Sequence, residues 1–401
     1  MSWEKGIDVN NVSTIICGCK RIFLGVGAIQ KMGDIAKDLK AKGINSILAV
    51  TGKAAYKTTG AWDVVTKALD AEGIKYVLYD KIRPNPECQD VDEAVAMARS
   101  AGAGAVIAIG GGSPIDAGKS AALLMEYPGK TCQELFELKF TAEKAAPIVA
   151  INLTHGTGTE ANRFAVVSIP EKDFKPAHAN DAIYPMYSIN DPALMTGLPA
   201  EQTRYVSIDA VNHVIESCST VLNNPFAITL AKEVIALIVK YLPKAIADPK
   251  DLTARYFLTY AAMIAGTSFD NGMLHFTHAL EHPLSGIKKD LSHGLGLSIL
   301  VPAVVKAVYP AKGAILADVL SPMVSGLSGY AGEAQKAADG IYAWLKSVGV
   351  PEKLGDIGFT KDQIPRLVEL TFETPVLGAL LGCAPVPSGK DVVEMIYTES
   401  F

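Results

Sequence analysis

The stretch AVIAIGGGSPIDAGK, Ala105–Lys119, carries three kinds of local structure in direct succession. Ala105–Ile109 is short, apolar and β-branched, the pattern of a strand buried on both faces. Gly110, Gly111 and Gly112 then let the backbone approach a ligand closely. Ser113 is a natural N-cap, Pro114 suits the first helical position, and Asp116 stands where a capping box places an acid. A helix over Ile115–Met125 follows. A strand that runs straight into a helix N-terminus presents free N–H groups, which favours a phosphate or pyrophosphate. The motif is neither GxGxxG nor a P-loop, because Lys119 lies too far from the glycines. Alone it is also compatible with a tight turn that binds nothing. A second Gly/Thr segment, THGTGTE at Thr154–Glu160, follows a strand pattern at Ile148–Ile151. Two such turns at strand ends point to a shared ligand crevice.

The surrounding sequence keeps the same rhythm. Ser46–Val50 and Lys75–Tyr79 read as strands, and Trp62–Glu72 and Val91–Ala101 as helices. Alternation at this spacing predicts βαβ units and a mostly parallel sheet. After about Leu194 strand signals nearly vanish. Ala200–Leu222, Pro225–Ala245 and Leu252–Ser268 carry long helical patterns rich in Ala, Leu and Ile. With 401 residues, the chain exceeds one comfortable core. The expected division is therefore an α/β domain over 1–194 and a helical domain over 195–401, joined near Asn190-Asp191-Pro192.

Composition narrows the class. Hydrophobic residues at 49% and charged residues at 20% fit a globular protein. A formal net charge of −5, with no basic block, argues against nucleic acid as a partner. Met1–Asp8 lacks the apolar segment of a secretory signal, and the apolar run Leu295–Val305 is short for a membrane span. The six cysteines lack a zinc spacing and read as free thiols. The expectation is a cytoplasmic protein with no membrane partner.

Five of the seven histidines, His213, His275, His278, His282 and His293, lie between 213 and 293. Asp209 precedes His213 by four residues in a helical pattern, so the two share a helix face. His278 and His282 repeat that spacing. Singly, each reads as a satisfied helix-face residue. Together, an Asp–His pair and a later histidine cluster can converge on one cation. Asp with imidazoles and no thiolate suits Fe²⁺ or Zn²⁺. Spacing alone does not choose the ligands among the four later histidines, nor name the one that handles protons. There is no HExxH and no GxSxG. A metal combined with a pyrophosphate crevice points to hydride transfer with a nicotinamide cofactor.

The motifs GGGSPIDAGK, THGTGTE, DAVNH and THALEHPLSGIKKDLSHG, in this order, resemble the iron-containing (group III) alcohol dehydrogenase family. The likeness runs end to end, from Pro84-Asn85-Pro86 to the closing pattern near Ile364 and Ile396. It implies a dehydroquinate synthase-like architecture: a dinucleotide-binding α/β domain followed by an all-α domain, with the metal between them. It further implies Asp209, His213, His278 and His293 as metal ligands, and His282 as proton relay. Cofactor contacts are implied at Gly52, Lys53, Asn85, Gly110, Gly111, Gly112, Ser113, Asp116, Thr154, Thr157 and Lys175. His275 is left a structural part.

Three departures stand out. The loop between His282 and His293 counts one residue longer than the family's usual spacing. His155 stands where a small residue is common. Thr51-Gly52-Lys53 replaces a Thr-Asp whose acid would bond the adenosine 2′-OH, so Gly52 removes a repulsion toward a 2′-phosphate and Lys53 adds attraction. NADP(H) is thus favoured, with NAD(H) as the other cofactor. The expected activity is a metal-dependent alcohol dehydrogenase and aldehyde reductase. It would act on a small primary alcohol, diol or aldehyde, in a homo-oligomer, with Fe²⁺ or Zn²⁺ as Lewis acid. Alternatives are a glycerol-type polyol dehydrogenase or related lyase, and a metal- and nucleotide-binding protein without redox turnover.

Overall fold

The computed structural model describes residues 17–401. Met1–Asp8, which carries the expectation about a signal, lies outside them. The chain divides into two units. The first comprises Gly18–Pro199 together with Pro249–Met263; the second comprises Ala200–Asp248 together with Ile264–Phe401. The α/β unit thus ends a few residues later than 194 and takes in a helical segment from the second half.

In the α/β unit, strands β1 (Arg21–Leu24), β2 (Ser46–Gly52), β3 (Lys75–Ile82), β4 (Ala105–Gly110) and β5 (Ile148–Asn152) alternate with helices. Strands β6 (Phe164–Val166) and β7 (Ala177–Ala179) form a small antiparallel pair, and β8 (Tyr187–Asn190) returns to the main sheet. The six-stranded sheet has the order β1-β8-β5-β4-β2-β3, with every pairing parallel. The helices are α1 (Met32–Ala41), α2 (Ala55–Thr58), α3 (Ala61–Ala71), α4 (Cys88–Ser100), α5 (Gly112–Met125) and α6 (Cys132–Phe136).

Both faces of the sheet are covered, and the strand alternation divides them. Ile47, Ala49, Ile107, Ile109 and Ile151 pack with Ile35, Leu39, Val65 and Leu69 of α1 and α3. Leu48, Val50, Val106 and Ile148 pack on the opposite side with Val91, Ala94, Ala121 and Leu124 of α4 and α5. This two-sided burial is why the strands read as unbroken apolar runs. Gly118 brings α5 onto β4, since a Cβ there would stand 2.7 Å from that of Ala108. The chain winds outward from β2 to β3 in one direction and to β4 in the other. The switch point therefore lies between β2 and β4, where Gly52 and Gly110 end their strands.

The second unit is helical: α7 (Ala200–Ser217), α8 (Pro225–Ala247), the C-terminal part of α9 (Leu252–Gly272), α10 (Phe276–Ile287), α11 (His293–Val319), α12 (Ala334–Ser347), α13 (Ile364–Glu373), α14 (Leu377–Gly382) and α15 (Lys390–Glu399). Helix α7 is buried continuously from Tyr205 to Ser217, polar residues included. A helix buried all round must satisfy its polar groups internally. Helix α11 is long and apolar enough to cross a membrane by length and composition, but 72% of its most apolar window is buried inside the protein. Its backbone breaks from helical geometry at Lys312, just after Pro310.

Candidate functional site

The glycine turn differs from the capping predicted for it. Helix α5 starts at Gly112 with Gly111 as N-cap and no side-chain cap. Ser113 and Pro114 therefore lie within the first turn rather than at its N-cap and first position. The tight geometry is imposed by Gly110, where a Cβ would stand 2.4 Å from the Pro114 ring. Asp116 does not form a capping box either. Its carboxylate accepts from the Thr159 hydroxyl at 2.7 Å and from the Val166 N–H at 3.0 Å. Burial pushes Asp116 up to about 6, against the pull of Lys119. Lys119 is fully buried and donates to oxygens of Thr159, Asn162 and Phe164. This pair ties α5 to the loop after β5.

That loop lies directly on the turn. A Cβ at Gly111 would stand 2.8 Å from Thr154 Cγ2, and one at Gly112 would stand 2.6 Å from Thr157 Cγ2. The glycines thus admit two threonines as well as leaving N–H groups accessible. The Thr154 N–H is held by Asn152 Oδ1 at 3.1 Å, and Asn152 by Asn190 at 2.9 Å. Lys175 is buried and acts on Asp116 electrostatically. Gly52 closes β2 opposite Ile82, and Lys53 is exposed beside it. Asn85 is a half-buried residue with φ of 52°. The structure therefore groups Gly110–Gly112 with Thr154 and Thr157, and sets Gly52 at the adjacent strand end. Asp116 and Lys175 lie in the supporting network.

In the helical unit, α7 presents Asp209, His213 and Glu216 at turn spacing, α10 presents His278, Glu281 and His282, and α11 opens with His293. One carboxylate oxygen organises the imidazoles. Asp209 Oδ1 lies 3.4 Å from His213 Nε2, 3.6 Å from His278 Nε2 and 3.9 Å from His293 Nε2. Four ligands bonded at about 2.1 Å around a tetrahedral ion stand roughly 3.4 Å apart. The observed spacing approaches this, so the donor set fits a divalent transition ion. Asp209 Oδ1 and His278 Nε2 are buried without a hydrogen-bond partner among the described residues. The five-residue connection Lys288–Ser292 thus returns His293 to Asp209.

Two carboxylates that sequence reasoning missed stand behind the imidazoles. Glu216 accepts from His278 Nδ1 and from the Thr277 N–H. Glu281 accepts from His293 Nδ1 and from the Ser285 hydroxyl. Each bond commits Nδ1–H, so it is Nε2 that faces Asp209 and that would give up its proton to bind a cation. The signal was present in the sequence: Glu216 follows His213 by three residues, and Glu281 follows His278 by three. Burial works against charge on His278, but Glu216 and Asp209 outweigh it and hold it up at about 9. His213 is driven down to about 3 by burial despite Asp209, and stacks between Phe269 and His278 at ring distances of 4.4 and 4.7 Å. The cluster therefore concentrates negative charge where a cation would sit.

His282 is nearly fully buried, with its ring 5.7 Å from that of His293. Glu281, His282 and His293 also bring ligand atoms within 4.8 Å of one another. In that triplet Glu281 is already engaged by Ser285 and His293, which favours the Asp209 group as the cation site. His275 serves as the N-cap of α10: its Nδ1 accepts from the Phe276 N–H at 2.7 Å, and its Nε2–H donates to Ser219 at 2.9 Å. His155 lies in the α/β unit, where its Nε2 accepts from Arg255 at 2.8 Å.

Comparison with known proteins bears on both units. The model of the iron-containing alcohol dehydrogenases matches residues 19–192, and that of the family's C-terminal region matches residues 203–401. The chain is 54% identical over 399 residues to the long-chain primary alcohol dehydrogenase AdhA of Thermoanaerobacter ethanolicus, covering 100% of both chains. It is 31% identical to the NAD-dependent methanol dehydrogenase of Bacillus methanolicus, covering 87% of this chain and 91% of that one. Among solved structures, an archaeal alcohol dehydrogenase from a Red Sea brine pool superposes with a TM-score of 0.91 at 27% identity, covering 97% and 98% of the two chains. The parallel α/β unit, the helical unit and these matches lead to one assignment: the chain belongs to the iron-containing alcohol dehydrogenase family, whose members are oxidoreductases.

Proposed function

We propose that this chain is an NADP(H)-preferring, iron-dependent dehydrogenase of primary alcohols that also reduces the matching aldehydes. The observation that carries the reading is the single Asp209 oxygen faced by three imidazole Nε2 atoms. Asp209, His213, His278 and His293 are the proposed ligands, and the same donor set accepts zinc. A divalent metal held there supplies Lewis acidity toward a substrate oxygen. The rest of the work belongs to the chain. Glu216 and Glu281 keep His278 and His293 oriented. His282, beside His293 but off Asp209, accepts the proton released as an alcohol is oxidised. The helix N-terminus at Gly112, with Gly110, Gly111 and Ser113, binds the pyrophosphate, and Thr154 and Thr157 border the nicotinamide side. Asn85 is carried as an adenosine-side contact, and Lys175 and Asp116 as supports.

Gly52 and Lys53 at the end of β2 favour a 2′-phosphate, although the Bacillus relative is named for NAD. The primary-alcohol class follows the Thermoanaerobacter relative. The cysteines described are all free thiols, which supports a cytoplasmic location. A homo-oligomer is proposed from the family, and light scattering tests it.

The deciding experiment purifies the protein anaerobically, measures its metal, and follows NADPH oxidation with short and long aldehydes before and after chelation. Activity lost on chelation and restored by Fe²⁺ is expected. Bound metal with no turnover on any aldehyde would favour a non-redox binding protein. His278→Ala and His213→Ala should lose metal and activity together. His282→Ala should keep its metal while kcat falls on the order of 10²-fold. An emptied metal site in His282→Ala would overturn the relay assignment.

A further inference from the structure

The α/β unit contains a buried arginine–histidine pair that the chemistry above does not use. Arg255, in the first turns of α9, is fully buried, and His155, at the crown of the loop after β5, is 1% exposed. The Arg255 guanidinium donates to His155 Nε2 at 2.8 Å. It is aimed by two further bonds, from Nε to the Pro249 carbonyl at 3.0 Å and from Nη2 to that of Leu198 at 3.4 Å. A guanidinium has no acceptor, so Nε2 of His155 must carry the lone pair and Nδ1 the proton. Burial and Arg255 together depress His155 to about 3, so the ring is neutral.

The loop that carries His155 is held at its ends. Asn152 fixes the Thr154 N–H, and Lys119 gathers oxygens of Thr159, Asn162 and Phe164. Between those ties lie Thr154 and Thr157, which occupy the space a Cβ would need at Gly111 and Gly112. A shift of the crown would therefore change how the two threonines sit on the turn. His155 is anchored from beneath by a planar donor of fixed direction.

We propose that Arg255 and His155 form a brace that positions Thr154 and Thr157 over the glycine turn and so sets the enzyme's affinity for its dinucleotide. His155 is a positioning residue, acting through its neighbours. The inference rests on the dinucleotide reading of the preceding section, and the experiment separates the two. NADPH binding to the metal-loaded enzyme is followed by quenching of protein fluorescence, with NADPH KM and kcat measured in parallel. The variants are His155→Leu, His155→Gln, Arg255→Met and the double variant His155→Leu/Arg255→Met. Gln places an amide oxygen near the position of Nε2, whereas Leu offers no acceptor.

The expected result is a Kd for NADPH about tenfold weaker in His155→Leu, the scale of a lost hydrogen bond to a charged group. KM for NADPH should rise in step, with kcat at saturating NADPH falling less. His155→Gln should recover most of the affinity, and the double variant should be no weaker than its weaker single parent. The pair of His155 variants decides the matter even where Arg255→Met does not fold. Wild-type affinity in His155→Leu overturns the brace, and so does a His155→Gln as weak as His155→Leu. A wild-type enzyme that binds no NADPH or NADH overturns the dinucleotide reading itself, and the brace with it.

Discussion

Glu281 shows how much of the metal site rests on groups that would not touch the metal. Its two oxygens are divided between His293 and Ser285, and it is fully buried. Removing it frees the His293 ring to rotate and to change tautomer. Glu281→Leu should therefore weaken iron binding by about 10- to 100-fold, with Glu281→Gln closer to wild type because an amide oxygen can still face Nδ1. Competition with a chromophoric chelator reads this directly; unchanged affinity in Glu281→Leu would leave His293 held by other means. Gly52 offers a second test at this scale. Gly52→Asp should shift the kcat/KM ratio for NADPH over NADH toward NADH by about tenfold or more, because a carboxylate opposes a 2′-phosphate and bonds a 2′-OH. A Cβ there meets only the Ile82 carbonyl, at 3.2 Å, so the fold should tolerate the change. A ratio that does not move would place the adenosine ribose elsewhere.

At the scale of elements, the start of α11 depends on a residue that carries no chemistry. His293 reaches Asp209 because the helix begins against α7, with a Cβ at Gly294 falling 2.0 Å from the Tyr205 carbonyl oxygen. A backbone oxygen on a buried helix cannot give way as a side chain can. Gly294→Ala should push α11 off α7, cost about 1–3 kcal/mol of stability, and lower iron occupancy. Denaturant unfolding with metal analysis checks both; a normally loaded, equally stable variant would contradict the packing argument. Helix α10 is braced from the other side, where the Tyr397 hydroxyl of α15 donates to the Leu280 carbonyl at 2.7 Å. The C-terminal helix thus supports the segment that carries His278, Glu281 and His282.

At the scale of the whole molecule, the helical unit gathers three buried carboxylates, Asp209, Glu216 and Glu281, and several imidazoles into one region, and such a cluster is costly without a cation. Removing iron should therefore lower the stability of this unit. At free Fe²⁺ about 100 times its Kd, the ion contributes about 2.7 kcal/mol. For a unit of this size that is roughly 5–10 °C in Tm. Calorimetry with and without chelator measures it. A Tm unmoved by Fe²⁺ would mean that the Asp209 group does not bind it.

The sheet and its order of helices were legible because burial on two faces demands unbroken β-branched runs, as in Ala105–Ile109, and those runs are local. Strands β1 and β8, four residues each, were not legible: Arg21–Leu24 and Tyr187–Asn190 are too short to show a period. The histidine cluster was visible through helical spacing, but spacing ranks no ligand above another. The division of labour became physical only when α7, α10 and α11 packed, so that Asp209 Oδ1 faced three Nε2 atoms while Glu216 and Glu281 took the Nδ1 sides. Ser113 and Asp116 were misread for the same reason. Their local pattern suits a cap, but packing against Thr154, Thr157 and Thr159 drew the helix start to Gly112 and the carboxylate into a buried network. Periodicity and residue type are properties of a segment, and the chain carries them openly. Which atoms meet across segments depends on close packing, and no single segment holds that information.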